Sequence, residues 1–344
     1  MSAAKVVSFG EIMLRLSPPG FERFLQTPQL VATFGGGEAN VAVSLAQFGL
    51  ESYYVTRLPT HDIGEAAVRA LRTEGVRTDY IVRGGDRIGV YYAETGASQR
   101  PSAVIYDRAR SAISEMEPDA VDWKTVFAGA AWYHVTGITP ALGDKGAAAT
   151  ARSLDAAKSA GVRVSVDLNF RKKLWTEKRA QEVMGPLMRY VDLVIANEED
   201  LQSVLGVHVP DTDVTSGRLN LDGFRQAAER VTRDFGPQMV AITLRESVSA
   251  SDNGWSAVLW EAAAQTMHRS QRYDVRLVDR IGGGDSFAGG LIYGLVTGRG
   301  PEAALRFAVA ASALKQTIPG DFNRSTVAEI DRLAAGDASG RVQR

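Results

Sequence analysis

The chain has 344 residues, of which 45% are hydrophobic, and it carries 39 basic against 40 acidic side chains. Such a chain can bury the core of one large α/β domain. Charge that is balanced and not grouped in blocks argues against a nucleic-acid or membrane-surface partner. The lack of cysteine excludes disulfides and thiolate metal sites. No stretch has the character of a signal sequence or a membrane span, so we expect a cytoplasmic protein.

In chain order, strand-like runs alternate with helical patterns, which predicts a mainly parallel sheet covered by helices. Short runs rich in Val and Ile predict strands at residues 5–14, 162–169, 191–197 and 239–244. Apolar residues at helical spacing predict helices at 144–161 and 221–236. Ligands of such sheets bind beyond the carboxyl ends of the strands, so we expect a site there.

Residues 52–109 have a different pattern, with aromatic, half-polar runs typical of strands that expose one face. We predict one domain over residues 1–335, with a β-sheet lid built mainly from residues 12–34, 52–60 and 78–109. The exposed edges of such a lid could pair with a second copy of the chain and give a homo-oligomer. Residues 336–344 are predicted to form a frayed tail.

The segment RIGGGDSFAGGL (280–291) places three glycines before an acidic residue and a helix. A glycine-rich turn at a helix N-terminus exposes backbone N–H groups and suits an anion. The alternative is a tight turn in which Asp285 only caps the helix. Gly289 and Gly290 within the helix each cost about 1 kcal/mol relative to alanine, which favours the close approach of another backbone or a ligand.

A second glycine cluster, FGGGEANVAVSLAQFG (34–49), leads through Asn40 into another predicted helix. The Asn40 amide offers both a donor and acceptors, as a polyol ligand requires. A dinucleotide-binding loop is disfavoured, because Asn40 occupies the place of the third glycine of G-x-G-x-x-G and LVATF before it is a poor buried strand. The P-loop pattern is absent from the sequence.

DRIGGGDSFAGGL resembles the C-terminal signature of the ribokinase-like, or phosphofructokinase-B, family of sugar kinases, and FGGGEANVAVSLAQFG resembles the N-terminal signature. The resemblance implies a three-layer α/β/α domain with a mainly parallel central sheet and a small β lid. It implies ATP and Mg²⁺ as cofactors, Asp285 as the catalytic base, and the backbone of Gly282, Gly283 and Gly284 as an anion hole. Arg280 and Gly283 replace the family's usual Thr and Ala.

The segment NEED (197–200) resembles the family's N-x-x-E motif, with Asp200 in place of the final Glu. The resemblance implies that Asp200 helps to hold Mg²⁺ through water. The alternative is that these residues only begin the next helix and complement its dipole. The loop after residue 244, RESVSASDNGW, has few glycines where the family has K-x-G-x-x-G. The nucleotide-binding residues that the resemblance implies are Asn169, Asn197, Thr243, Arg245, Ser247, Gly282 and Gly284.

GEIMLRLSPPG, YDRARSA and DLNFRKKLW resemble the 2-keto-3-deoxygluconate kinase branch of the family. Strand alternation places Tyr106 and Arg108 on one face, and Arg171 follows a predicted strand of the main sheet. Two guanidinium groups suit a carboxylate, which neutral sugars lack. The substrate-binding residues that the resemblance implies are Gly36, Gly37, Asn40, Tyr91, Tyr106, Arg108, Arg171 and Asp321.

The predicted reaction is therefore transfer of the γ-phosphoryl group of ATP to the 6-hydroxyl of 2-keto-3-deoxygluconate. Three other functions stay open at this point. The chain could phosphorylate a neutral sugar such as fructose or ribose, bind a sugar acid without catalysis on the same fold, or act as a dinucleotide-dependent oxidoreductase.

Overall fold

The computed structural model describes residues 3–210, 220–337 and 340. Helices and strands alternate along most of this part of the chain. The strands are β1 (Lys5–Phe9), β2 (Met13–Ser17), β3 (Val31–Gly35), β4 (Glu51–Val55), β5 (Arg57–Leu58), β6 (Val82–Arg83), β7 (Gly89–Glu94), β8 (Ala103–Asp107), β9 (Ala130–Thr136), β10 (Arg163–Asp167), β11 (Leu193–Ala196), β12 (Met239–Ser247), β13 (Asp252–Glu261), β14 (Thr266–Arg269) and β15 (Tyr273–Arg276). The helices are α1 (Gly37–Gln47), α2 (Asp62–Thr73), α3 (Trp123–Phe127), α4 (Ile138–Ala141), α5 (Asp144–Ser159), α6 (Glu177–Leu187), α7 (Glu198–Leu205), α8 (Leu221–Phe235), α9 (Gly283–Val296), α10 (Pro301–Lys315) and α11 (Val327–Ala334).

The central sheet has the strand order β14-β13-β12-β11-β10-β9-β1-β4, and β15 also pairs with β13. From β12 to β4 all neighbouring strands are parallel, whereas β13 is antiparallel to its neighbours. Helices cover both faces of this sheet, and a separate small sheet lies beside it. The predicted fold class is confirmed.

Alternating side chains of the central strands build two hydrophobic cores. On β1, Val6 packs in the core that includes residues of α1, α9 and α10, whereas Val7 packs in the opposite core with α3 and α5–α8. Continuous burial on both faces is the reason these strands are short runs of Val, Ile and Leu. The predicted helices at 144–161 and 221–236 correspond to α5 and α8.

Helix α9 packs against α1 and α10 along a row of glycines. A Cβ atom on Gly289 would lie 2.7 Å from Cβ of Ser44 in α1. On Gly290 and Gly294 it would lie 2.8 and 2.6 Å from the Cα atoms of Ala308 and Ala304 in α10. These distances are below van der Waals contact, so each glycine is required by a neighbouring helix. The expectation of a close backbone approach in this helix is confirmed.

The lid is a four-stranded sheet in the order β3-β2-β7-β8. The predicted contribution of residues 52–60 is wrong, because β4 pairs in parallel with β1 at the edge of the central sheet and β5 pairs with β6 in a separate two-stranded ribbon. Tyr54 shows the reason: it is fully buried and donates a hydrogen bond to the Gly10 carbonyl, so its aromatic character reflects a core position. Association through the lid stays a prediction.

The predicted first strand over residues 5–14 is also divided in the structure. It forms β1 in the central sheet and the start of β2 in the lid. Gly10 lies at the division, where an added Cβ would lie 2.1 Å from Cδ of Glu38. A side chain at residue 10 would clash with the buried Glu38 carboxylate, so the chain can leave the central sheet at this point only through a glycine.

None of the helices in the described ranges combines the length and apolar character that a bilayer crossing requires. Residues 338, 339 and 341–344 of the predicted tail lie outside the described residues.

Candidate active site

A cavity of ≈ 460 Å³ lies between the lid and the carboxyl ends of the central strands. Its position agrees with the general location of ligand sites in open α/β sheets. The lid contributes Met13, Tyr91, Val104 and Tyr106 to its wall. The predicted site residues that line it are Gly36, Gly37, Asn40, Tyr91, Tyr106, Arg108, Asn169, Arg171, Asn197, Asp200, Thr243, Arg245, Ser247, Gly282, Gly284, Asp285 and Asp321. Gly283 is buried behind this wall, and its carbonyl accepts a hydrogen bond from Ser312 Oγ at 2.6 Å.

Asp285 lies in the first turn of α9, at the floor of the cavity. Its Oδ2 accepts a 2.7 Å hydrogen bond from the Asn40 amide in α1. Burial raises the pKa of the Asp285 carboxyl to about 6, while the Asn40 hydrogen bond lowers it. The negative charge of Asp321 raises the pKa further, and the positive charge of Arg171 lowers it. Asp285 is thus a carboxylate poised to accept a proton near neutral pH.

The three glycines before Asp285 have different environments. Gly282 caps α9 in the left-handed region at φ 82°, and an added Cβ would lie 2.1 Å from the Asp321 carbonyl oxygen. At Gly283 an added Cβ would lie 3.0 Å from Cγ of Gln316. At Gly284 it would meet no atom within 4 Å. The fold therefore explains Gly282 and Gly283, whereas no neighbouring atom within 4 Å requires a glycine at Gly284, which borders the cavity.

Further buried carboxylates surround Asp285. Burial, followed by the charges of Asp200 and Asp285, raises the pKa of Asp167 well above its usual range. Burial also raises the pKa of Glu38, against hydrogen bonds from the Thr139 and Thr136 hydroxyls at 2.7 and 2.8 Å. The charge of Glu38 raises the pKa of Asp285, and the charge of Asp285 raises the pKa of Asp167.

Asn197 and Asp200 cap the start of α7. The Asp200 backbone N–H donates to Asn197 Oδ1 at 2.8 Å, and the Asn197 N–H donates to Asp200 Oδ2 at 3.2 Å. Asp200 Oδ1 also accepts from the Phe170 N–H at 2.8 Å. The helix-capping alternative from the sequence is thus present in the structure. Both carboxylate oxygens of Asp200 thus accept backbone hydrogen bonds, which fix the orientation of this carboxylate on the cavity wall.

No group of three or more acidic or histidine side chains suited to a metal ion occurs in the described ranges. Mg²⁺ commonly keeps several waters and binds through one or two carboxylates together with substrate phosphates. Asp200, with Glu198 and Glu199 on the cavity wall, fits this kind of binding and not an all-protein metal site.

The arginines on the cavity wall fall into two groups. Arg108 is buried and forms an ion pair with Glu11, whose other oxygen accepts from Ser111. Its guanidinium carbon lies 5.5 Å from the Tyr106 ring centroid, and its buried Nε has no hydrogen-bond partner among the described atoms. By contrast, no ion pair is found in the described part of the chain for Arg171, Arg245 or Arg280. Burial, and then the charge of Arg245, lowers the pKa of Arg280.

Asp321 and Tyr91 belong to a buried network between the lid and the end of α10. Arg15 of β2 forms 2.7 Å ion pairs with both Asp321 and Asp279. The Tyr91 hydroxyl donates to the second oxygen of Asp321 at 2.6 Å. Tyr91 also stacks on Tyr106 of β8, with ring centroids 6.0 Å apart. Both carboxylate oxygens of Asp321 therefore already have partners, which favours a role for this residue in fixing Tyr91 beside the cavity.

The segment after the predicted strand 239–244 continues as strand, because β12 extends to Ser247. Arg245 and Ser247 thus project from a paired strand and not from a flexible loop. Thr243 Oγ1 donates to the Ala196 carbonyl at 3.4 Å. Asn169 has a positive φ of 38°, a conformation that asparagine tolerates better than most residues.

Sequence reasoning missed several charged residues around the cavity. Glu11 and Arg15 lie within the quoted run GEIMLRLSPPG, and Glu38 lies within the N-terminal glycine motif, but none was assigned a role. Asp167 and Asp279 were missed too. For Glu38 the sequence offered a signal, because a charged residue lies within a glycine-rich motif. For Glu11 and Arg15 it offered none, because their partners Arg108 and Asp321 lie 97 and 306 positions away in the sequence.

Comparison with known proteins identifies the family. The model of the pfkB family of carbohydrate kinases matches residues 3–325. The chain is 34% identical, over 98% of its own length and 98% of the relative's, to a 2-dehydro-3-deoxygalactonokinase of Haloferax volcanii. A crystal structure of 2-dehydro-3-deoxygluconokinase from Thermotoga maritima is 52% identical, with a TM-score of 0.93 over 97% of this chain and 100% of that one.

A third comparison shows the fold alone. An E. coli protein named as a ribokinase II, solved in complex with ATP and Mg²⁺, has 19% identity and a TM-score of 0.78 over 96% of this chain and 99% of that one. Taken with the architecture, these matches show that the chain belongs to the pfkB family and is a carbohydrate kinase of the 2-dehydro-3-deoxygluconokinase type.

Proposed function

We propose that this kinase transfers the γ-phosphoryl group of ATP to the 6-hydroxyl of 2-keto-3-deoxygluconate, with Asp285 as the base. The observation that carries the proposal is the position of Asp285, which lies in one cavity with the open backbone at Gly284 and with Arg171, for which the described residues provide no ion pair. The relatives named above act on sugar acids of this class, and kinases of the pfkB family use ATP.

In this proposal Asp285 accepts the proton of the attacking hydroxyl. Asn40 occupies Oδ2, whereas Oδ1 faces Gly37, where an added Cβ would lie 3.7 Å away. In this proposal Oδ1, which does not accept the Asn40 hydrogen bond, receives the proton. Proton acceptance by a positioned side chain contributes roughly 10²- to 10⁴-fold to a rate.

The N-terminus of α9 would stabilise the charge on the transferred phosphoryl group. The Gly283 N–H already donates to the Arg280 carbonyl at 3.3 Å. The Gly284 N–H lies in the first turn of the helix and is not used by its internal hydrogen bonds, so it would be the donor to the phosphoryl group. Mg²⁺ bound to the nucleotide phosphates would neutralise part of their charge, with Asp200 holding its waters. Arg245 and Ser247 on β12, with Thr243, Asn169 and Asn197, would contact the nucleotide.

The carboxylate of the sugar acid would pair with Arg171, and Arg108 would support it. Arg171 has the chemistry to form two parallel hydrogen bonds with a carboxylate. Arg108 is held by Glu11, so its remaining donors are fixed in direction. Gly36, Gly37 and Asn40 at the start of α1, with Tyr91 and Tyr106 on the lid, would contact the rest of the sugar, and Asp321 would act mainly through Tyr91.

The decisive experiment is an ADP-release assay with Mg-ATP on 2-keto-3-deoxygluconate, 2-keto-3-deoxygalactonate, fructose and ribose, with the phosphorylated position assigned by NMR. We expect turnover of the sugar acids and a 6-phosphate product. Preference for a neutral sugar would contradict the arginine assignments. Binding of a sugar acid without any turnover would favour the non-catalytic alternative.

The first prediction concerns the base. Asp285→Asn should lower kcat by about 10²- to 10⁴-fold, because the amide cannot accept the proton. Since burial raises the folded-state pKa of Asp285, its charge costs stability above about pH 6, and the neutral variant should have an equal or higher Tm at pH 8. Near wild-type kcat in this variant would remove Asp285 from the mechanism.

The second prediction concerns pH. The wild-type kcat/KM for the sugar should fall as the pH drops through about 6, where Asp285 of the free enzyme becomes protonated. Asn40→Ala removes the hydrogen bond that lowers the Asp285 pKa, so this acidic limb should move to higher pH. Gln47→Leu at the exposed end of the same helix is the control and should leave the limb in place. A limb that stays fixed or moves to lower pH in Asn40→Ala would contradict the proposed coupling.

The third prediction separates fold from function at Gly284. Gly284→Ala should keep or raise Tm, because the added Cβ meets open space and alanine favours the helix by up to about 1 kcal/mol. It should nevertheless reduce kcat/KM for ATP by at least about tenfold, through a clash with the phosphates. The matched control is Gly185→Ala, an open helical glycine of α6, which should keep full activity. Equal activity of the two variants would argue against phosphate contact at Gly284.

The fourth prediction concerns the sugar carboxylate. Arg171→Met should raise the KM for 2-keto-3-deoxygluconate by about 10- to 100-fold at pH 8, as expected for loss of a charge-assisted hydrogen bond. Residual activity on fructose should not change. The control is Lys172→Met, which removes the same charge from the next position. A similar effect of both variants, or an effect on fructose, would mean that Arg171 acts only through the general field of the cavity.

A further inference from the structure

Lys315, the last residue of α10, is buried completely, with 0% of its surface exposed. A buried ammonium group needs specific partners, because the loss of water around a charge is costly. Burial lowers the pKa of Lys315, while the charges of Asp279, Asp321 and Asp285 raise it and that of Arg15 lowers it. Neither the residues assigned to the sugar nor those assigned to the nucleotide include it.

The ammonium of Lys315 lies directly behind the glycine loop that precedes Asp285. Its Nζ donates a 3.1 Å hydrogen bond to the Asp279 carbonyl oxygen. Its Cε lies 3.2 Å from the position that a Cβ on Gly282 would occupy. Lys315 therefore fills the space on the protein side of the loop whose other side, at Gly284, faces the cavity.

Other residues at the end of α10 hold the same loop. Ser312 Oγ donates to the Gly283 carbonyl at 2.6 Å, and the Gln316 carbonyl accepts from the N–H groups of Val278 and Asp279 at 2.9 and 3.2 Å. Ser312, Lys315 and Gln316 are spaced so that they share one face of the helix end. Lys315 is the member of this set that brings a positive charge.

Lys315 lies at the C-terminal end of α10, next to the loop that leads into the N-terminal end of α9. The C-terminal end of α10 carries the negative end of the helix dipole, which stabilises a cation there. The N-terminal end of α9 carries a positive end, which an adjacent ammonium strengthens in a region of low dielectric. A group that accumulates negative charge at the start of α9 would thus be stabilised by the dipole of α9 and by the ammonium of Lys315.

We propose that Lys315 is a positioning residue for phosphoryl transfer: a built-in cation that fixes the Gly282–Gly284 loop through Asp279 and raises the positive potential at the start of α9. This inference rests on the proposed function, and it adds a residue that does not touch substrate. An effect of this kind should appear in kcat more than in the KM for the sugar, because charge on the phosphoryl oxygens is redistributed in the transition state.

The test compares Lys315→Ala, Lys315→Met and the wild-type enzyme in the ADP-release assay, with Tm measured for each protein. Lys158→Met, which removes an exposed lysine of α5, is the control. Methionine keeps most of the side-chain volume without the charge, whereas alanine opens space for a small cation. Each enzyme is assayed in sodium chloride and again with ammonium chloride at equal ionic strength.

We expect kcat to fall at least about tenfold in both Lys315 variants, equivalent to about 1.4 kcal/mol, with the sugar KM changed less than about threefold. Ammonium should restore kcat at least about threefold in Lys315→Ala, but not in Lys315→Met, Lys158→Met or the wild type. A merely structural role would lower Tm and activity together without rescue by ammonium.

Either unchanged kcat in both folded Lys315 variants, or loss without rescue in Lys315→Ala, overturns the inference and leaves the proposed function intact. A wild-type enzyme that phosphorylates none of the sugars overturns the proposed function, and this inference with it.

Discussion

The close packing of α9 against α1 and α10 sets the geometry of the candidate site. Gly289, Gly290 and Gly294 remove the side chains that would otherwise hold these helices apart. Because Asn40 lies on α1 and Asp285 on α9, the 2.7 Å hydrogen bond between them depends on this separation. A larger residue at any of the three glycines would move the N-terminus of α9 relative to the sheet and to the glycine loop before it.

Charged side chains of both signs line the cavity. Asp167, Asp200 and Asp285 have raised pKa values, first because of burial and then because neighbouring carboxylates disfavour their ionised forms. The guanidinium groups of Arg171 and Arg245 lie on the same wall without ion pairs in the described residues. Such an arrangement costs folding stability and is typical of functional sites, where bound substrate supplies the missing partners.

The sequence allowed prediction of features that depend on local patterns. The buried strands of the central sheet follow from short runs of Val and Ile, and the two glycine motifs indicated which helix N-termini face the cavity. The position of β4 could not be predicted in this way. Its aromatic residues have the same local pattern as an exposed lid strand, and only pairing with β1 distinguishes the two.

Sequence patterns could not predict the charged contacts behind the site, because these contacts join residues that are far apart in the sequence. Arg15 and Asp321 are joined only by the fold, and each has an ordinary local context. Lys315 follows an apolar helical run, in which a terminal lysine normally indicates exposure and a favourable dipole interaction. Its complete burial depends on the approach of the Gly282 loop from another part of the chain.

The ion pairs of Arg15 have a mechanical consequence for the lid. They hold the inner strand β2 against Asp279 and Asp321. The hydrogen bond from Tyr91 holds the adjacent strand β7 against Asp321. Half of the lid sheet is thereby anchored to the rigid body of the protein. Arg108, directly after β8, is held by Glu11 in the same way. A hinge that swings the whole lid away from the central sheet would therefore have to break three buried ion pairs at once.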